Sequence, residues 1–144
     1  MPQYMLIMRS STAAEEASKD LDMEAVINAM GAYNESMMEA GVMVGGGGLS
    51  DAAEGFVVDF STSPSVVTDG PYGEVHELFN GFWTIEVADK NEAIEWARRC
   101  PLGPGAKLEV RRLTDESDFA DFADNEYIQK EQGWLDELAH KRES

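Results

Sequence analysis

The chain has 144 residues, of which 28 are acidic and 11 basic, for a formal net charge of −17. That length fits one domain plus a terminal appendage, and 43% apolar content is enough to fill a core, which excludes wholesale disorder. A balance this acidic also excludes a role built on phosphate contacts, which need clustered Lys and Arg, so neither nucleic acid nor an anionic membrane is an expected partner.

Tyr4-Met5-Leu6-Ile7-Met8 predicts a short buried strand, bounded by Pro2 and by the turn signal Ser10-Ser11-Thr12. Asp20 or Asp22 is placed to cap the helix that follows. In that helix Met23, Val26, Ile27, Met30, Tyr33 and Met37 recur at three- and four-residue spacing, and Gly41 ends it. Gly45-Gly46-Gly47-Gly48 lacks the Lys-Ser/Thr and the following helix of a phosphate loop, so it reads as a flexible turn or a bulged strand entry.

Phe56 to Phe60 and Ser65 to Thr68 predict two strands across a Ser-Thr-Ser-Pro turn, and Phe82 to Val87 a third. Asp89 with Glu92 forms a capping-box start for a helix through Ala93, Ile94 and Ala97, which Pro101 to Gly105 end. Lys107 to Arg112 alternates as a closing strand. The single Cys100 excludes an internal disulfide and a multi-thiolate zinc site. It reads as a small buried residue closing the helix, although Arg98 and Arg99 beside it would favour a thiolate if it were accessible.

The order β-α-β-β-β-α-β predicts an α+β sandwich of ferredoxin-like type, with both helices on one sheet face. Ile85, Val87, Leu108 and Val110 form an apolar set, and their alternates Thr84, Glu86, Glu109 and Arg111 share the opposite face. A sheet with one uncovered face of this mixed character is expected to pair with a second copy. Residues 1–113 hold 18 acids and 8 bases, and residues 114–144 hold 10 and 3. The steeper acidity places a domain boundary at Leu113-Thr114. The 114–144 extension reads as an acidic helix with Phe119, Phe122, Tyr127, Trp134, Leu135 and Leu138 as apolar anchors, broken at Gly133.

The chemistry concentrates in Thr68-Asp69-Gly70-Pro71-Tyr72-Gly73-Glu74-Val75-His76-Glu77. Gly-Pro sets a sharp turn, and around it stand three carboxylates, a phenol and one of only two histidines. His76 has an ordinary pKa of about 6.5, which a carboxylate partner raises, so it is a candidate general acid–base.

Five motifs, in order, resemble the YCII-related proteins of the DGPF type. They are Asp69-Gly70-Pro71-Tyr72-x-Glu74-x-His76-Glu77, Gly81-Phe82-Trp83, Asn91 to Ala97, Cys100-Pro101, and Leu108-Glu109-Val110-Arg111. Met1 to Met8 and Ala40 to Leu49 also fit that family's opening strand and helix-to-strand turn. The resemblance covers about residues 1–113 and implies a ferredoxin-like fold forming a dimeric α/β barrel in bacterial cytoplasm. It also implies a possible enzymatic role for an Asp and a His, and, through relatives that accompany sigma factors, a regulatory setting. The family pattern has Phe at Tyr72, Lys at His76, Gly at Asn80, Glu at Gly47 and Pro at Arg112, so this chain departs from it at five positions.

The expected function is acid–base chemistry on a small organic molecule, of lyase, isomerase or hydrolase type, in a pocket at a homodimer interface. Asp69 and His76 would form the acid–base pair and Glu74 would orient them. Arg9 or Arg111 would hold an anionic group, and Tyr72 and Trp83 would form apolar walls. No cofactor motif is present and no metal is expected. The alternatives are a non-catalytic ligand-binding or regulatory dimer, and an interaction protein working through the acidic C-terminal helix.

Overall fold

The computed structural model describes residues 1–11, 16, 22–70 and 78–143. Residues 1–112 and 113–144 form two compact units. The first is α+β. Strand β1 (Gln3–Ser10) is followed by helix α1 (Met23–Glu39), β2 (Met43–Gly48), β3 (Phe56–Asp59), β4 (Val66–Asp69), β5 (Leu78–Glu86), helix α2 (Lys90–Arg98) and β6 (Lys107–Arg112).

Four strands build one antiparallel sheet in the order β2-β5-β1-β6. It has two edges, so it does not close on itself. The remaining pair, β3 and β4, forms a separate hairpin sheet. Sequence patterning places these two strands correctly but does not show that they leave the main sheet. Their place there is taken by β2, four of whose six residues are the glycines 45–48. Its register with β5 shifts between Met43 and Gly45, a bulge where the strand begins.

Local chemistry explains the helix ends. The Asp22 carboxylate accepts from the Glu24 N–H at 3.1 Å and caps α1. Gly41, at φ +72°, ends the helix in the left-handed region, where the Val42 N–H donates to the Met37 carbonyl at 3.1 Å. At α2 the Asp89 carboxylate accepts from the Glu92 N–H, and the Glu92 carboxylate accepts from the Ala88 N–H.

Both helices cover the same side of the sheet. Leu6, Met37, Ile85 and Val87 are the largest fully buried side chains, and Tyr33, Val42, Trp83, Ala93 and Trp96 complete the core around them. The Tyr33 hydroxyl donates to the Trp96 carbonyl at 2.8 Å, tying α1 to α2, and its ring meets that of Trp83 edge-to-face at 5.4 Å. The methionine stripe of α1 is narrower than its periodicity suggests, because Met23 and Ile27 in its first turns are exposed.

The second unit holds a 3-10 segment, Glu116–Phe122, and helix α3 (Glu126–Glu143). The Asn125 carboxamide caps α3 by accepting from the Tyr127 and Ile128 N–H groups. The helix runs through Gly133 without the expected break, held in part by the i,i+4 pairs Glu126–Lys130 and Glu137–Lys141. The break falls instead before Asn125. No described helix is long and apolar enough to cross a membrane.

Candidate functional site

The sheet face away from α1 and α2 is built by strand alternation. On β1, Tyr4, Leu6 and Met8 point to the helices, so Met5, Ile7 and Arg9 take the other side. Their cross-strand partners share that side: Thr84 opposite Met5, Phe82 and Glu109 opposite Ile7, and Phe79 and Lys107 opposite Arg9. The Arg9 guanidinium donates to the Glu109 carboxylate at 3.0 Å, and both side chains are only partly exposed. Phe79 and Phe82 stack on one another with ring centroids 6.4 Å apart, because the register shift opposite Met8 and Arg9 brings both to this face. Ile7 is only 7% exposed although it lies on the side of the sheet away from α1 and α2. Further along, Gln3 Nε2 donates to the Glu86 carboxylate at 3.0 Å. The result is an ion pair beside an aromatic pair on a rigid sheet, a surface suited to a small molecule with an anionic or polar group and an apolar body.

Arg9 and Arg111 share this face but not one ligand group. Arg111 lies opposite Met5, four residues along β6 from Lys107, the partner of Arg9. At the rise of a strand the two sites are separated by roughly 13 Å. Trp83 does not face this surface. It is buried under α1, and its indole N–H donates to the Asn34 carboxamide oxygen at 2.7 Å. The apolar walls on the open face are Phe79 and Phe82, which sequence reasoning did not single out. The signal for them was Ile7 and Arg9 on the partner strand, legible only once the register is known.

Asp69 ends β4, paired with Phe56 and exposed to solvent. Gly70 follows at φ +91°, its N–H donating to the Gly55 carbonyl at 2.8 Å, which closes the hairpin ladder. Tyr72, Glu74 and His76 lie outside the described residues. The chain is described again at Leu78, opposite Ser10, so β5 enters the sheet at its Arg9 end. Among the described residues no group of three or more His, Cys, Asp or Glu side chains is placed to hold a metal ion.

Cys100 is half-buried rather than buried, and this burial still pushes its thiol from 9.0 up to about 11, against the thiolate that the neighbouring arginines would favour. Burial, and secondarily the nearby Cys100, also raises the Tyr33 phenol above its ordinary range. Both groups are therefore neutral in the fold and ionise more readily once unfolded. The Cys100 contribution to stability is complete below pH 9 and is lost as pH rises through about 11, while that of Tyr33 persists to higher pH. Thermal unfolding at successive pH values is expected to show Tm falling across that window, with a shallower fall in Cys100→Ala. An equally steep fall in both proteins would remove Cys100 from the explanation.

The family model of the YCII-related domain matches residues 3–117. None of the curated proteins matches the chain.

Proposed function

The chain belongs to the YCII-related family, and from that premise we propose that it is a small acid–base enzyme of the cytoplasm, working as a homodimer. Its ferredoxin-like sandwich pairs with a second copy through the uncovered sheet face to form a dimeric α/β barrel, with the pocket at the interface. The observation that carries this reading is the composition of that face. The stacked Phe79 and Phe82 offer apolar contact beside the partly exposed Arg9–Glu109 ion pair, and Phe79 is 39% exposed in a lone protomer. The strand order β2-β5-β1-β6, with α1 and α2 on the same side of the sheet, supports the same arrangement.

In this reading Arg9 orients an anionic group of a small organic substrate, while Glu109 holds the guanidinium in place. Asp69 and His76 exchange a proton with the substrate, and Glu74 orients the imidazole. His76, charged by its carboxylate partner, gives up its proton to the reacting group, and neutral His76 takes one back. No redox step is involved.

Two measurements test the proposal. Light scattering at micromolar concentration is expected to report twice the chain mass of 15.8 kDa, and the mass of one chain would refute the dimer. NMR titration of His76, in a His140→Gln background that leaves one imidazole, is expected to show its pKa lowered by Asp69→Asn. An unmoved value would dismiss the acid–base pair and leave a ligand-binding dimer without turnover.

A further inference from the structure

We infer that the ligand of the sheet face away from α1 and α2 is a planar aromatic or conjugated carboxylate, whose ring lies against Phe79 and Phe82. The inference rests on the reading of that face as a small-molecule site and names the class of molecule that it takes.

A bulge makes the subsite. Phe79 of β5 pairs with Arg9 and Gly81 with Met8, so the register with β1 passes over Asn80. Regular alternation from Phe82 would send Asn80 to this face and Phe79 to the helices. The added residue turns Phe79 over, which puts two phenyl rings on one side of one strand. Bulges re-aim side chains in this way and are over-represented beside functional sites. Strand β2 holds this one from the other side. The Leu49 N–H donates to the Asn80 carbonyl at 2.9 Å, and a Cβ at Gly81 would lie 3.0 Å from the Gly47 carbonyl oxygen.

The shape of the subsite suits a flat group. The planes of Phe79 and Phe82 differ by only 26°, so a third ring can continue their stack. Phe79 is 39% exposed and presents its ring for that contact. Gly47 pairs with Phe82 and shares its side of the sheet, and a Cβ there would meet nothing within 4 Å. Beside Phe82 the backbone of β2 is therefore bare, and a flat ring can lie along it where a rounded one would stand off.

Charge supplies the second half of the ligand. Among the described residues this face carries Arg9, Lys107 and Arg111 against Glu86 and Glu109. That excess of bases, in a chain with 28 acids and 11 bases, favours an anion here. Arg9 stands directly opposite Phe79, and such cross-strand neighbours have Cβ atoms about 5 Å apart. A carboxylate attached to the ring thus comes beside the guanidinium while the ring meets Phe79.

Three probes separate shape from charge in the full chain. Benzoate has both features, cyclohexanecarboxylate has the charge without the flat ring, and benzamide has the ring without the charge. By NMR titration benzoate is expected to bind at least about fivefold more tightly than either of the others. Phe79→Leu is expected to abolish the preference over cyclohexanecarboxylate. Gly47→Leu fills the bare backbone and is expected to weaken benzoate binding about tenfold with the native far-UV circular dichroism kept. Equal affinity for benzoate and either other probe, no binding of benzoate at millimolar concentration, or an unchanged preference in Phe79→Leu overturns the inference. If Phe79→Leu loses its native circular dichroism, Gly47→Leu decides, and undiminished benzoate binding there overturns it. A dimer with coupled Asp69 and His76 that shows no preference for the flat acid fails this inference alone. A monomer without that coupling that still selects benzoate fails the acid–base dimer alone.

Discussion

Truncating Leu6 to alanine is expected to destabilise the fold by about 2–5 kcal/mol, the range for deleting a fully buried aliphatic side chain whose surroundings relax only in part. Leu6 sits on the strand that has neighbours on both sides, opposite Trp83 on β5 and Val110 on β6. It has no exposed surface and packs in the core under the helices. Its removal leaves a void bounded by strands held in fixed register, which cannot close by sliding. Urea unfolding is the measurement, and the midpoint should fall with the slope unchanged. Met23→Ala is the matched control. Met23 belongs to the periodic methionine stripe of α1 but is 66% exposed, so its truncation should change stability by no more than about 0.5 kcal/mol. Equal losses in the two variants would overturn the assignment of the core.

Within the four consecutive glycines, only Gly46 is expected to resist a side chain. A Cβ there would lie 2.7 Å from the Phe82 carbonyl oxygen, 3.2 Å from the Trp83 Cα and 3.1 Å from Cδ1 of its indole. The first two are backbone atoms of the neighbouring strand, and the indole is held by its bond to Asn34. Nothing there yields cheaply, so Gly46→Ala should cost about 1–3 kcal/mol, as overpacking does. For a domain of this size that lowers Tm by about 4–8 °C per kcal/mol. Gly47, Gly45 and Gly48 meet nothing within 4 Å. Gly47→Ala should therefore be neutral or stabilising by up to about 1 kcal/mol, because alanine restricts the unfolded chain. Thermal melts of the two variants decide the matter, and a Gly46→Ala protein that melts with the parent would show that β2 can move away from β5.

These two sites also mark where sequence reading succeeds and where it stops. Leu6 was legible as core because a short apolar run between turn signals needs no knowledge of its neighbours. The strand at Met43–Gly48 was legible only as one of two readings, a flexible turn or a bulged strand entry, since glycines carry no pattern of faces and no strand propensity. What makes it a strand is the partner β5, whose Trp83 lies against Gly46. The same limit applies to the candidate site. Arg9 and Arg111 were visible as basic residues near strands, and Glu109 and Arg111 as residues of the uncovered face. That Arg9 bonds Glu109, and that Phe79 and Phe82 stand beside them, depends on a register set across three strands and on one bulge. Trp83 reads from the sequence as an apolar pocket wall, and its place opposite Leu6 sends it to the core instead.

The sequence by itself determined what is local. Asp22 and Asp89 cap their helices, Gly41 ends one, and the α+β class follows from periods of two and of 3.6 that each segment carries in its own residues. The strong net charge, too, needs only counting. Tertiary structure alone decided that β3 and β4 leave the sheet as a hairpin, that a glycine run replaces them beside β5, and which face receives Arg9, Phe79 and Phe82. Strand order and register are relations between segments distant in the chain, settled by how side chains and backbones fit across the sheet, and no single segment contains them.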